Sequence, residues 1–443
     1  MTENSVIVAG TAKKSVCLLS LSRIPDDPRV RRQGDALSIA GWEVCGVGLS
    51  GAMSARPGWT CHDAANTPST TYQALAYAVV PTPVHVTKVP MRAAGLARNA
   101  TTLTWQFASH AMRRMQTAAQ SQKARFSLAS ALKIYWSWSP IQELHKACKD
   151  VRADLWVAND WQMLPLAARL AEERGGTYVY DTHEFAVHEY MEQWKWRLVR
   201  RPIVRAIEAH YIKNAKVVST VSEGIASGLQ SIYQLPSRPL VIRNVPSYQV
   251  VNQAVEGPKI RVLYHGLVSP VRGLEPMIRS VKSWRDEFDL TIRGPGNEDY
   301  LKELRGLIER EGVGSRVRIE PPVPMTELIS QAAPFDIGIF CMPKLSQQHC
   351  FVLPNKLFEY IMAGLAVCVS DLPEMSRIVK ASAVGILLPS AKEQDISAAL
   401  NSLTRGAIRS FKQSSLEAAK RLCWEQECQA LLAAYDSNIC AAS

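Results

Sequence analysis

Leu353-Pro-Asn-Lys-Leu-Phe-Glu-Tyr-Ile-Met-Ala-Gly364 is the stretch on which the reading of this chain turns. Pro354 fixes its own backbone angle and suits the first turn of a helix. Asn355 and Lys356 follow, then an apolar run at helical spacing, then Gly364 as a stop signal. Free backbone N–H groups at a helix start, beside a lysine, make a seat for phosphate. Glu359 lies one turn further in, where a carboxylate can accept hydrogen bonds from a ribose. The ordered set Pro-Asn-Lys, Phe-Glu-Tyr and Ala-Gly is far more specific than any one of its members.

Outward from that helix the chain alternates strands and helices, which predicts an α/β protein with parallel sheets. The first series of strands is expected near residues 16–21, 42–49, 155–158, 178–180, 217–221 and 240–243. A linker is expected at 247–258. A second series follows, near 261–264, 289–292, 317–319, 337–340, 366–369 and 385–388. Residues 51–75 read as loop. Residues 91–150 read as helical, anchored by Trp105, Phe107, Trp136 and Trp138, and residues 187–215 as a helix interrupted near Pro202. At 443 residues the chain is too long for one core. The expected division is a disordered segment 1–14, a first domain 15–250, a second domain 258–415, and a final helix within 416–443 packing back on the first domain. Two doubly wound, Rossmann-like domains would face each other across a cleft, where open α/β sheets bind ligands.

Composition narrows the class. With 47% apolar and 21% charged residues the chain reads as a soluble globular protein. No apolar run approaches the roughly eighteen residues that span a bilayer. Residues 16–21 read as a buried strand, not as a signal-peptide core. Ten cysteines without a Cys-x-x-Cys pair read as free thiols in a reducing cytoplasm, and argue against a zinc site.

The net charge of +11 is unevenly placed. Residues 64–142 contain no acid, but carry Lys88, Arg92, Arg98, Arg113, Arg114, Lys123, Arg125 and Lys133. Trp194-Lys-Trp-Arg-Leu-Val-Arg-Arg201 mixes cations with two tryptophans. Cations beside tryptophan suit an anionic lipid surface. No nucleic-acid-binding signature accompanies the charge, so nucleic acid is not expected as a partner.

Further motifs lie on strand ends. His265-Gly266 follows the first strand of the second series, and Arg272-Gly273 then opens a helix. Ile292-Arg-Gly-Pro-Gly296 ends the next strand in a glycine-rich turn. Glycine lets phosphate approach the backbone, and arginine offers a forked donor. In the first series, Ala158-Asn-Asp160 and Tyr180-Asp-Thr-His-Glu184 end two strands. A histidine there could orient a hydroxyl or shuttle a proton. Asp160 and Glu184 could hold an acceptor or tune His183. Asp26-Asp-Pro-Arg-Val-Arg-Arg-Gln33 reads either as a loop turning Arg29 to the cleft or as a capped helix start with solvated arginines. Val218-Ser-Thr-Val-Ser-Glu223 and Ile242-Arg-Asn-Val-Pro246 follow.

These segments, in this order, resemble GT-B glycosyltransferases of the retaining family-4 type. The resemblance covers residues 260–400 well and the first series more loosely. It implies a nucleotide-sugar donor, a UDP- or GDP-sugar, bound by Gly266, Arg272, Gly273, Gly294, Asn355, Lys356 and Glu359. Arg272 and the 355–356 turn would take the diphosphate and Glu359 the ribose. It puts His183 at the reacting centre, with Asp160 and Glu184 beside it and Arg29 and Asn244 on the acceptor side. It implies retention of anomeric configuration, no cofactor and no metal. No Asp-x-Asp metal pair, Walker loop, nucleophile elbow or His-Glu-x-x-His motif occurs.

Two positions depart from the family pattern. Leu267 stands where an arginine is common. Phe351 stands eight residues before Glu359, where a first glutamate normally touches the donor sugar. Ser346, Gln347, Gln348, His349 and Cys350 lie close enough to replace it in part. The expected acceptor is a lipid-linked or glycan molecule of cell-surface polysaccharide synthesis, met at the cytoplasmic membrane face. The alternatives are a nucleotide-sugar epimerase of the same fold and a non-catalytic scaffold.

Overall fold

A computed structural model describes residues 13–52, 54–64, 127–253, 255, 257–270, 272–344 and 347–439. Most of the acid-free basic stretch, with Trp105 and Phe107, lies outside them, as do residues 1–12 of the expected N-terminal segment. The described strands form two sheets. The first contains β1 (Ser15–Leu19), β2 (Glu43–Leu49), β3 (Thr60–Ala64), β4 (Leu155–Asn159), β5 (Thr177–Thr182), β6 (Val218–Thr220) and β7 (Leu240–Val241). The second contains β8 (Ile260–His265), β9 (Phe288–Arg293), β10 (Val317–Glu320), β11 (Ile337–Phe340), β12 (Ala366–Ser370) and β13 (Gly385–Leu388).

Strand order is β3-β2-β1-β4-β5-β6-β7 in one sheet and β10-β9-β8-β11-β12-β13 in the other. Each order winds outward in both directions from its first strand, so each sheet has a switch point, between β1 and β4 and between β8 and β11. β1 pairs in parallel with β2 and β4, with Cys17 opposite Cys45 and Trp156. β8 pairs in parallel with β9 and β11. The segments leaving β8 and β11 therefore separate at the switch point, where such sheets leave room for a ligand. Gly266, Arg272 and the helix Asn355–Met362 all lie on those two segments.

By contacts the chain divides into two units, Met1–Tyr180 with Gln193–Lys216, and Asp181–Glu192 with Val217–Ser443. This division differs from the one drawn at the 247–258 linker. Within the second unit, Phe185 N donates to Gln348 Oε1 (3.0 Å), Ser222 Oγ to the Phe351 carbonyl (2.8 Å), and Gly224 N to Glu374 Oε1 (2.9 Å). A linker's composition marks where regular structure lapses. It carries no record of such long-range bonds.

Local differences have local causes. Residues 60–64 form a parallel strand inside a segment read as loop. The strand is short, polar and largely exposed, so it lacks the apolar alternation that reveals strands. Near Pro202 the helical run is interrupted as expected, because a π-helical turn, Trp196–Arg200, leads directly into the α-helix Arg201–Tyr211. The final helix is two, Arg405–Ala419 and Trp424–Ile439. The second ties to residue 243, where Arg243 N and Nε both donate to the Glu427 carboxylate at 2.7 Å.

The helix that opened the sequence reading packs through Leu357, Phe358, Tyr360 and Ile361, all buried. Gly338 on β11 makes room for it. A Cβ there would lie 2.2 Å from the Tyr360 ring. Gly338→Ala is therefore expected to cost about 1–3 kcal/mol by overpacking. Thermal denaturation should show a lower midpoint. Gly306→Ala, in the interior of the helix Glu298–Glu311 with only a flexible Arg310 tip nearby, should not lower it.

Candidate functional site

β8 ends at His265, and the chain turns at Gly266 with φ +118°. Gly266 N donates to the Arg293 carbonyl at 2.9 Å. The turn after β9 comes equally close, since a Cβ on Gly294 would lie 1.9 Å from the Gly266 oxygen. A Cβ on Gly266 would in turn meet Lys356 Cε at 3.0 Å and Nζ at 3.1 Å. Two glycine turns thus open the space that the Lys356 amine fills. Gly273 serves differently. With φ +73° it starts the helix Leu274–Ser280, and a Cβ there would lie 2.0 Å from the Cys341 carbonyl.

Lys356 is half-buried, and its ammonium lies on aromatic faces, 4.4 Å from the Phe340 ring centre and 5.4 Å from that of Tyr264. Burial pushes its pKa down to about 8. The nearby Arg272 charge adds to the fall and Glu359 opposes it. An ammonium destabilised by burial and a neighbouring cation gains most from an incoming anion.

One turn along, Glu359 Oε2 lies 2.8 Å from His265 Nε2. The His265 ring is 1% exposed as a residue and stacks on Tyr360 at 4.8 Å and 30°. Tyr360 OH accepts from His265 N at 3.1 Å and donates to the Ile339 carbonyl at 3.2 Å. Glu359 thus lies against the edge of a histidine that the helix itself holds in place, by close approach and without hydrogen-bond geometry at either ring nitrogen.

A second polar group enters from the end of β5. Asp181 is fully buried. Its Oδ1 accepts from Ser219 Oγ at 2.6 Å, and its Oδ2 lies 3.1 Å from His183 Nε2. A carboxylate held this way orients an imidazole and favours the proton on the nitrogen facing it. Glu184 accepts a hydrogen bond from Gln348 Nε2. Both groups line one cavity of about 420 Å³ in the second unit, with Arg272, Asn244, Asn355 and the apolar side chains of Val221, Ile225, Leu328, Val352 and Leu353.

Of the residues expected from sequence, His183, Glu184, Asn244, Gly266, Arg272, Asn355, Lys356 and Glu359 line this cavity. Gly273 and Gly294 support it from behind. Asp160 and Arg29 belong to the other unit. Arg29 sits in the first turn of the helix Pro28–Ile39 and is 1% exposed, so the helix start is capped as one reading expected but this arginine is buried, not solvated. Asp27 caps that turn through Arg29 N and Val30 N. Asp160 follows β4 with φ +65°, a costly angle for a residue with a side chain. Beside it, Asn159 is 1% exposed, and neither polar atom of its side chain has a hydrogen-bond partner. Asp181, Ser219 and His265 were not assigned roles from sequence. Asp181 lies two residues before His183 at the end of β5, a spacing that could have paired them.

Leu267, where the resemblance expects an arginine, is 42% exposed, and its carbonyl accepts from Tyr264 OH at 2.8 Å. A second cavity, of about 280 Å³, lies at the opposite ends of β8 and β11 and is lined by several cations. Lys412 there bonds Asp336 and the Phe335 carbonyl, and Arg405 bonds Glu287 and two carbonyls. Those charges are balanced internally.

Residues 259–405 match the family model described as glycosyl transferases group 1. No curated protein matches the sequence. Solved structures match over nearly the whole chain. A sucrose-phosphate synthase from Thermosynechococcus elongatus superposes with a TM-score of 0.69 at 13% identity, covering 97% of this chain and all of that one. HepE from Anabaena, solved in complex with UDP and glucose, gives 0.61 at 12% identity over 96% of this chain and all of that one. WaaG, a glycosyltransferase involved in lipopolysaccharide biosynthesis, gives 0.57 at 14% identity over 94% of this chain and 98% of that one. At these identities the likeness establishes the fold, GT-B.

The Lys356 pKa gives a signed prediction. A lysine lowered to about 8 is charged below that pH and loses its proton as pH rises through it. Anion binding should therefore weaken on the alkaline side. Calorimetry with inorganic pyrophosphate should show wild-type affinity falling roughly tenfold relative to Lys356→Arg between pH 7 and pH 9. The arginine stays charged throughout and serves as the reference. A constant ratio would contradict the assignment.

Proposed function

We propose that this glycosyltransferase, whose group 1 domain spans residues 259–405, moves a sugar from a UDP- or GDP-sugar to an acceptor hydroxyl with retention of configuration. The observation that carries the reading is one cavity holding three kinds of group. It has a cationic seat, a carboxylate one helical turn away from that seat, and a histidine oriented by a buried carboxylate.

In this reading the diphosphate lies against Lys356, Arg272 and the N–H groups opening the helix Asn355–Met362. These neutralise the charge that grows on the leaving group as the glycosidic bond breaks, with neither a metal nor a separate cofactor. Glu359, backed by His265, accepts the ribose hydroxyls. His183 lies at the reacting centre, where Asp181 and Ser219 hold its ring. An oxygen of the departing phosphate takes the acceptor proton on the same face, so no strong separate base is needed. The complex of HepE with UDP and glucose supports a uridine donor.

The acceptor is proposed to be lipid-linked, part of cell-surface polysaccharide assembly, and met at an anionic membrane face on the cytoplasmic side. Trp194 is 60% exposed and Leu198, four residues on, 44% exposed. Exposed Lys195 and Arg197 lie between them. Such a cluster can dip an indole into lipid headgroups while its cations meet anionic lipid. No helix among the described residues is long and apolar enough to cross a membrane. The involvement of WaaG in lipopolysaccharide biosynthesis points the same way.

Two experiments test this reading. Calorimetry with UDP, GDP and ADP should find one nucleotide that binds saturably. Lys356→Ala and Glu359→Ala should each weaken it at least tenfold, and Glu359→Ala should leave pyrophosphate unaffected. Absence of binding to any of them would favour a scaffold that kept the fold. Sedimentation with vesicles should show binding to phosphatidylglycerol-containing but not to neutral phosphatidylcholine membranes. Trp194→Ala together with Leu198→Ala should reduce it severalfold, and equal binding by wild type and variant would sink the membrane assignment.

A further inference from the structure

We infer that Glu184, held by Gln348, recognises the hydroxyls of the transferred sugar and so sets which hexose this chain accepts; this rests on the donor reading above. Both residues line the cavity that also holds Lys356 and Glu359. Gln348 is 8% exposed, and both ends of its amide are committed. Its Oε1 accepts from Phe185 N at 3.0 Å and its Nε2 donates to Glu184 Oε2. The amide thereby fixes the carboxylate's position. An ionised carboxylate offers about four lone-pair sites, enough to accept from neighbouring hydroxyls as well. Hydrogen bonds to a charged acceptor are roughly twice as strong as neutral ones. With Glu359 assigned to the ribose, a second carboxylate in the same cavity suits the hydroxyls of the transferred hexose.

Phe351 bears on the support of the same part of the cavity wall. It stands on the same short helix as Gln348, at the position where the resemblance expects a glutamate against the sugar. Its ring instead lies 5.9 Å from that of Phe185, and its Cδ1 fills the space at Gly224, 2.4 Å from where a Cβ would stand. Its carbonyl accepts from Ser222 Oγ at 2.8 Å. Phe351 is absent from the cavity lining. The helix Gln347–Phe351 is thus pinned at one end by Gln348 and at the other by Phe351. Position 351 has become an apolar anchor, and the carboxylate at this part of the cavity comes from Glu184.

The test measures discrimination between epimeric donors. Competitive calorimetry compares UDP-glucose with UDP-galactose, or GDP-mannose with GDP-glucose if GDP is the nucleotide that binds. The proteins are wild type, Glu184→Gln and Gln348→Met, each with the bare nucleotide as reference. Glu184→Gln keeps the shape and removes the charge. Gln348→Met keeps the length and removes both hydrogen bonds. Expected is a wild-type preference for one epimer that falls at least tenfold in both variants, while bare-nucleotide affinity stays within twofold. Equal binding of both epimers by wild type, or a preference unchanged in both variants, would overturn the inference and leave the donor site standing. Failure of wild type to bind any nucleotide would overturn both.

Discussion

The Lys356 amine and the backbone at Gly266 occupy almost the same space. A single Cβ at residue 266 would come within about 3 Å of the amine, and that proximity organises the second unit. The turn after β8 must be glycine to admit the lysine, and the turn after β9 must be glycine to admit the turn after β8. The lysine in turn is delivered by a helix that fits only because β11 has Gly338 opposite Tyr360. A cation is thus lodged on ring faces at the sheet's switch point, in a setting that disfavours its charge until an anion arrives.

The other side of the cavity is built on a different principle. Its groups are held by hydrogen bonds, not by close packing. Ser219 fixes Asp181, Asp181 faces His183, and Gln348 ties Glu184 to the backbone of Phe185. Buried polar chains of this kind specify orientation when fully satisfied, and orientation is what a reacting centre requires. The same bonds draw residues 181–192 and the chain from 217 onward into the unit that carries the phosphate seat.

Much of this was legible in the sequence because the signals are local. Pro354, Asn355, Lys356 and Gly364 announce a helix and its phosphate end within one short stretch, and apolar runs mark the strands of both sheets. Glycines after strands mark turns that approach something closely. Three things escaped for a common reason. The pairing of Asp181 with Ser219, the backing of Glu359 by His265, and the contact-based division of the chain all depend on residues far apart in sequence. The exposed strand Thr60–Ala64 escaped for another, since an edge strand facing water needs no apolar pattern. Arg29 shows the converse case. Its motif allowed two readings; the helix start is capped by Asp27, yet Arg29 there is buried and not a solvated arginine.

The most direct test of the account is a crystal structure of the protein with its nucleoside diphosphate bound. A phosphate oxygen should lie within about 3 Å of Lys356 Nζ, with a second contact from Arg272 and the ribose hydroxyls on the Glu359 carboxylate. A nucleotide bound away from Glu359, with the Lys356 amine still resting on the rings of Phe340 and Tyr264, would contradict it.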